Sequence, residues 1–166
     1  QIKADFVMAD AHKWLLGPEG IALFYCREEV RAQLNLHQYG WHMVKNAGNY
    51  DALDWQVADS AKRFECGSPN MLGIHAMSAS LSLIEESGIN NIARLIINNA
   101  SYIIDNIKNI DGLNFISPTE KPHYAGIVTF NIDGVDIALL HSKLMKNKVI
   151  CANRAGGIRF SPHFYT

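Results

Sequence analysis

Between residues 89 and 110, Ile89, Ile92, Ile96, Ala100, Ile103, Ile107 and Ile110 recur every three or four positions, and the positions between them are rich in asparagine. A stripe with that period predicts a long amphipathic helix with one face in a core. Such a helix cannot bury its stripe alone, so the flanking sequence must supply a second layer. Ahead of it, Ser68-Pro69-Asn70 predicts another helix start, with Ser68 as N-cap and Pro69 in the first helical position. That helix would turn Ile74, Met77, Leu81 and Ile84 inward and stop at Gly88. Behind the stripe come short strand-like runs: Asn114 to Ser117 closed by Pro118, Gly126 to Ile132 followed by an Asp133-Gly134 turn, Val149 to Ala152, and Ile158 to Ser161 after Gly156-Gly157. Among them Asp136 can cap a helix through Lys148 whose Ile137, Leu140, Leu144 and Met145 face inward. From about residue 112 onward the pattern predicts one or two helices on one face of a small, largely antiparallel sheet.

The first third reads differently. Ile2 to Ala9 and Ile21 to Tyr25 are short, mostly apolar runs without helical period, so both are expected to be buried strands. Between them lie a loop, Asp10 to Leu16, and the tight turn Gly17-Pro18-Glu19-Gly20. A short helix is expected from Glu28 to Leu34, and residues 35 to 62 show no clean period and read as an irregular excursion. Strand-like residues approach both ends of the chain, which leads to the expectation of a portion of a longer protein.

Composition narrows the class. The 166 residues are 48% hydrophobic with a formal net charge of −1, which excludes a disordered tail and gives no general basic field for nucleic acid or a polybasic membrane surface. The apolar runs fall far short of the roughly 20 residues of a spanning helix. Cys26, Cys66 and Cys151 are odd in number, widely spaced and without CxxC, so reduced thiols in a cytoplasmic protein are expected. The seven histidines form no HxxxH or HExxH pattern, so no metal centre is expected. His75 and His141 fall in helices and read as satisfied structural residues, and Cys66 and Cys151 as packed small hydrophobes.

Three places could carry chemistry. Lys13 sits beside His12 and Trp14 on the loop between the two apolar strands; desolvated there, its amine would be a better nucleophile and could join a carbonyl cofactor. The competing reading is a surface lysine with its stem lying over Trp14. Arg159 lies inside Ile158-Arg159-Phe160, where it either points to solvent by strand alternation or forms a bidentate fork for a carboxylate. Ser68, at the end of Arg63-Phe64-Glu65-Cys66-Gly67, is either a plain cap with Arg63 and Glu65 as surface charges, or part of an anion site.

Together these segments resemble one family. Asp10-Ala11-His12-Lys13-Trp14-Leu15-Leu16-Gly17-Pro18-Glu19-Gly20 looks like the cofactor-lysine segment of class V aminotransferases, the pyridoxal-phosphate group that includes cysteine desulfurases and selenocysteine lyases. Arg63 to Asn70 resembles that family's Arg-Phe-Glu-x-Gly-(Thr/Ser)-Pro-Asn segment, and Ile158 to Tyr165 resembles its C-terminal arginine strand. The order matches, and the likeness spans essentially the whole chain.

The resemblance implies an α/β enzyme of the pyridoxal-phosphate-dependent fold type I, with residues 1–87 ending the large cofactor domain and residues 88–166 forming a small α+β C-terminal domain. It implies pyridoxal 5′-phosphate as cofactor, a small amino acid as substrate and a homodimer. By match to the motifs, Lys13 would form the Schiff base and His12 would lie near the cofactor phosphate. Ser68 would reach the phosphate held by the partner subunit, and Arg159 would hold the substrate carboxylate. Desulfurase-type members often carry a serine two residues before the histidine; here that position is Asp10, which cannot donate when ionised. The stretch Val149 to Gly157 lacks the Arg-x-Gly-His-His-Cys pattern of one desulfurase subgroup and puts Cys151 on a strand, which disfavours persulfide chemistry. The family's phosphate-binding turn, ring-stacking group and pyridine-facing aspartate precede the lysine segment and have no counterpart in this chain. The alternatives are therefore a cysteine desulfurase or selenocysteine lyase, and a fragment without activity of its own.

Overall fold

Six strands and four helices are described over residues 3–166 by a computed structural model: β1 (Phe6–Asp10), β2 (Ala22–Cys26), α1 (Glu28–Arg31), α2 (Met71–Ser87), α3 (Ile89–Ile107), β3 (Leu113–Phe115), β4 (Val128–Ile132), α4 (Ile137–Lys146), β5 (Ala152–Arg154) and β6 (Gly157–Phe160). The chain divides into two compact units, Gln1–Ile84 and Glu85–Thr166.

In the first unit β1 and β2 form an antiparallel hairpin in which Met8 lies opposite Phe24 and Asp10 opposite Ala22. Both strands occur where the apolar runs predict them, and Ile2 of the first run lies outside the described residues. Their burial does not follow the expectation. Phe6, Val7, Met8, Leu23, Phe24 and Tyr25 are all exposed. The reason is topological: among the described residues β1 and β2 pair only with each other, and a lone ribbon leaves apolar side chains on both faces uncovered. Phe24 is partly covered by Phe64, edge-on at 5.3 Å.

The predicted helix at 28–34 is a single turn, Glu28–Arg31. The excursion that follows is irregular but anchored. Val44 bridges Val57, Lys45 N donates to the Gln56 carbonyl (2.9 Å), Ala58 N donates to the Met43 carbonyl (2.9 Å), and Met43 is fully buried. Its last turn, Ala61–Phe64, is a 3-10 helix capped by Ser60, whose hydroxyl accepts from Lys62 N.

Helix α2 starts later than Ser68 and Pro69 predict. It begins at Met71, and the cap is Asn70, whose Oδ1 accepts from Gly73 N at 3.0 Å while its carbonyl accepts from Ile74 N at 2.9 Å. Asn caps as well as Ser does, and Asn70 stands closer to the first apolar turn. Gly88 ends the helix with a φ of 76°, which a residue carrying Cβ rarely adopts.

The second unit is built on the isoleucine stripe. Ile92, Ile96, Ala100 and Ile104 of α3 are buried, and Ala100 and Ile104 pack on Val128 with Ile103, Ile107, Phe115 and Tyr124 around them. The partner layer is a four-stranded antiparallel sheet in the order β3-β4-β6-β5. Register sorts its two faces. Val128 lies opposite Phe160 and Phe130 opposite Ile158, so these share the apolar face; Thr129 lies opposite Arg159, on the other face.

Helix α4 has the predicted cap, Asp136 Oδ1 accepting from Ala138 N (2.8 Å) and Leu139 N (3.1 Å). Ile137, Leu140 and Leu144 are half-buried, but Met145 is exposed, because the helix packs chiefly on β5 and β6. Strand β5 starts at Ala152, so Val149, Ile150 and Cys151 lie outside it; Lys148, with a φ of 63°, turns the chain away from the helix just before them.

Candidate active site

The loop bearing His12, Lys13 and Trp14 is folded back on the hairpin that carries it. Ala11 is fully buried; its N–H donates to the Ile21 carbonyl (3.1 Å) and its carbonyl accepts from Gly17 N (2.8 Å), while Leu16 N donates to the Lys13 carbonyl (3.2 Å). With both ends of the loop pinned, His12, Lys13 and Trp14 project outward and are exposed. Lys13 Nζ donates to the Asp10 carboxylate, and the lysine side chain is 67% exposed. The amine is therefore solvated and ion-paired, as in the surface-lysine reading of the sequence, and not desolvated. Asp10 had no assigned partner in the sequence. The hydrogen bond from Lys13 holds its carboxyl below the usual carboxylate range, and the charges of Lys13 and His12 act in the same direction.

Ser68 is exposed and its hydroxyl makes no hydrogen bond among the described residues, since Asn70 caps α2. Asn70 has a second task. Its Nδ2 donates to the Gly20 carbonyl at 3.2 Å and so ties the Ser68 segment to the turn that closes the Lys13 loop. The structure thus joins the two segments in one framework, with no hydrogen bond between Ser68 and either His12 or Lys13. Sequence reasoning missed Asn70 as the link; an asparagine directly before the first helical residue was the available signal.

Arg159 belongs to the second unit, on β6 opposite Thr129 of β4 and Ala152 of β5. The residue is half-buried, and its Nε is buried without a hydrogen-bond partner. Asn131 Oδ1, on the same face of the sheet, is buried and unpartnered as well. A buried guanidinium N–H left unpaired is destabilising, so this position calls for an acceptor rather than simple solvent exposure. It makes no ion pair with any carboxylate among the described residues.

Cys26, Cys66 and Cys151 are all free thiols. Cys151 stands immediately before β5 rather than on it, and burial pushes its thiol pKa up, which lowers the thiolate fraction. His141 of α4 meets the Cys151 carbonyl at 3.2 Å, whereas His75 is exposed on α2, away from the packed role expected of it. Among the described residues no cluster of His, Cys, Asp or Glu is placed to hold a metal ion, and no helix is long and apolar enough to cross a membrane.

Comparison with known proteins places this geometry in context. The family model described as Aminotransferase class-V matches residues 1–161. An uncharacterised aminotransferase of Bacillus subtilis is 30% identical over 97% of this chain and 41% of its own length. A probable cysteine desulfurase of Staphylococcus epidermidis is 32% identical over 79% of this chain and 30% of its own. The chain therefore spans well under half of each of these relatives. Among solved structures, the cystine C–S lyase C-DES in complex with cysteine persulfide superposes with a TM-score of 0.84 at 21% identity, covering 98% of this chain and 42% of that one. The apo cysteine desulfurase of Thermococcus onnurineus gives 0.79 at 23% identity, covering 98% and 43%. The fold is that of the matching portion of fold type I enzymes.

Proposed function

This chain belongs to the aminotransferase class-V family, and on that premise we propose that the protein carrying it is a pyridoxal-phosphate enzyme acting on a small amino acid, with Lys13 as the residue that joins the cofactor. The observation that carries the reading is the framework around that lysine: a pinned, outward-facing loop, tied through Asn70 and Gly20 to the segment bearing Ser68. The residues present fit such a group. Lys13 offers an accessible primary amine, Ser68 a hydroxyl with no other hydrogen bond among the described residues, and His12 an exposed imidazole for a phosphate. Arg159 offers a buried, unpartnered guanidinium N–H for a carboxylate.

When bound, the cofactor supplies an electron sink that stabilises negative charge at the Cα of the amino acid. The chain's own residues do the remainder. Arg159 would bind the α-carboxylate through its planar fork and so orient the bond to be broken. Lys13 Nζ would accept the proton from Cα as general base. Asp10 holds that amine by hydrogen bond until it is engaged. His12 and Ser68 would hold the phosphate, Ser68 toward the cofactor of the partner in a homodimer.

The reaction is transamination or related chemistry at Cα or Cβ. Relatives named as cysteine desulfurases support a second reading, desulfuration of cysteine or its selenium analogue. The half-buried thiol of Cys151, its pKa raised by desolvation, weighs against it serving as the sulfur acceptor.

The test is borohydride reduction of the complete protein incubated with pyridoxal phosphate, followed by peptide mass analysis. Pyridoxyl mass on Lys13 supports the reading, and label confined to other lysines refutes it. Cysteine supplied to a separate, unreduced preparation, with 2-oxoglutarate as amino acceptor and a dithiol as reductant, separates the two chemistries. Alanine with sulfide, the dithiol reducing the sulfur atom released, identifies the second reading, and glutamate formed from the acceptor identifies transamination.

A further inference from the structure

Arg63 carries the same signature as Arg159. Its Nε is buried without a hydrogen-bond partner, its guanidinium makes no ion pair among the described residues, and the side chain as a whole is only half-buried. The nearest carboxylate in sequence, Glu65, turns instead toward His42 Nδ1 at 4.0 Å. Arg63 lines a pocket of about 230 Å³ whose other walls include Asn35, His37, Gln38, Phe64 and Cys66, with no carboxylate among them. Leu36 completes the wall, so the pocket sets one guanidinium and three polar side chains beside apolar surface.

Its walls are held by backbone contacts. Arg63 sits in the 3-10 turn, with its N–H on the Ser60 carbonyl at 3.2 Å. Just beyond the lining residues, the chain at Gly40 lies so close to Cys66 that a Cβ there would stand 2.1 Å from the Cys66 carbonyl oxygen, so only glycine permits the approach. His42 N donates to that same carbonyl at 3.2 Å, locking the segment beyond Gly40 to the segment bearing Cys66. A pocket with one guanidinium, three polar side chains and no carboxylate suits a small oxyanion in charge and in the fork geometry of arginine. The volume suits it too, being several times the roughly 30 Å³ that one water occupies in the liquid.

We propose that Arg63, with Asn35, His37 and Gln38, forms a binding site for a small oxyanion, a phosphate or a carboxylate. None of His12, Lys13 or Ser68 lines this pocket, so the site stands independently of the reading of the lysine loop.

Cys66 provides the reporter, because it lines the pocket. Alkylation of the complete protein by iodoacetamide, quantified per cysteine by mass analysis, is compared in potassium phosphate, potassium acetate and potassium chloride at equal ionic strength, with Cys151 as internal reference. The expected result is slower labelling of Cys66 in phosphate or acetate than in chloride, by about threefold at twice the dissociation constant, with Cys151 unchanged. Which of the two anions protects identifies the source of the oxyanion. Equal Cys66 rates in all three salts overturn the proposal, a comparison that needs only the wild-type chain. Arg63→Gln should abolish the protection and Arg63→Lys should retain part of it; protection that survives Arg63→Gln undiminished also overturns the assignment.

Discussion

Ile158 and Ile150 offer a matched pair that tests whether the sheet of the second unit is packed as described. Ile158 is 0% exposed, on the apolar face of β6 opposite Phe130, whereas Ile150 is 86% exposed just before β5. Replacing either by alanine removes the same three side-chain carbons. At about 0.8 kcal/mol for each buried methylene, the transfer loss at Ile158 is about 2.4 kcal/mol. The cavity left between Ile158 and its neighbours adds to this, giving about 3–4 kcal/mol, within the range of about 2–5 kcal/mol for such truncations. At Ile150 the side chain is already hydrated, and the change should stay within about 0.5 kcal/mol. The assay is urea unfolding of the complete protein, followed by hydrogen exchange at the amides of β4 and β6 so that the transition read is that of this sheet. With a slope of about 1–3 kcal/mol per molar urea, Ile158→Ala should lower the midpoint by at least about 1 M while Ile150→Ala leaves it close to wild type. Equal midpoints for the two variants would refute the register that turns Ile158 inward.

Asn70→Ala removes both the cap on Gly73 N and the tie to the Gly20 carbonyl, and should destabilise the first unit by about 1–2 kcal/mol in urea melts; Asn70→Asp, which keeps the cap but loses the Nδ2 donor, should fall between. Arg159→Ala should weaken binding of the amino-acid substrate by about tenfold or more, as expected for loss of a charge-assisted hydrogen bond, while the absorbance of bound cofactor persists; unchanged affinity would remove Arg159 from the site. The depressed pKa of Asp10 makes a signed prediction. Lys13 favours the ionised carboxyl, so the stabilisation is fully present above the pKa of the unfolded chain and disappears as pH falls through the lower folded value. The gap in urea midpoint between wild type and Asp10→Asn should therefore be constant from neutral pH down to the usual carboxylate range near pH 4 and shrink below it. A gap that instead widens on acidification contradicts the ion pair.

The parts of the candidate site that were legible in the sequence are those that depend on residue type and spacing. Lys13 on a loop between two strands and Arg159 within a strand occupy the elements their neighbours predict, whereas Ser68 stands two residues before the observed cap, Asn70. Their surroundings were not legible. The apolar residues flanking the Lys13 loop suggested a desolvated amine, yet they belong to a hairpin whose faces are open, and Asp10 takes the amine instead. Arg63 reads in sequence as an ordinary surface charge, and only the folding of residues 35–42 against Cys66 builds a pocket around it.

What the sequence by itself determined is local: the period of α3, the Asp136 cap of α4, the turns at Gly17 to Gly20 and at Asp133-Gly134, and the order of the family segments. These follow from bonds and contacts a few residues apart, which composition and spacing encode directly. What only the tertiary structure decided is which groups end up covered and which find partners. Asn70 reaches a carbonyl 50 residues away, Arg159 comes to lie opposite Thr129, and the buried guanidinium nitrogens of Arg63 and Arg159 are left without acceptors. Burial and long-range pairing are properties of the assembled surface, summed over segments far apart in the chain, so no local pattern specifies them.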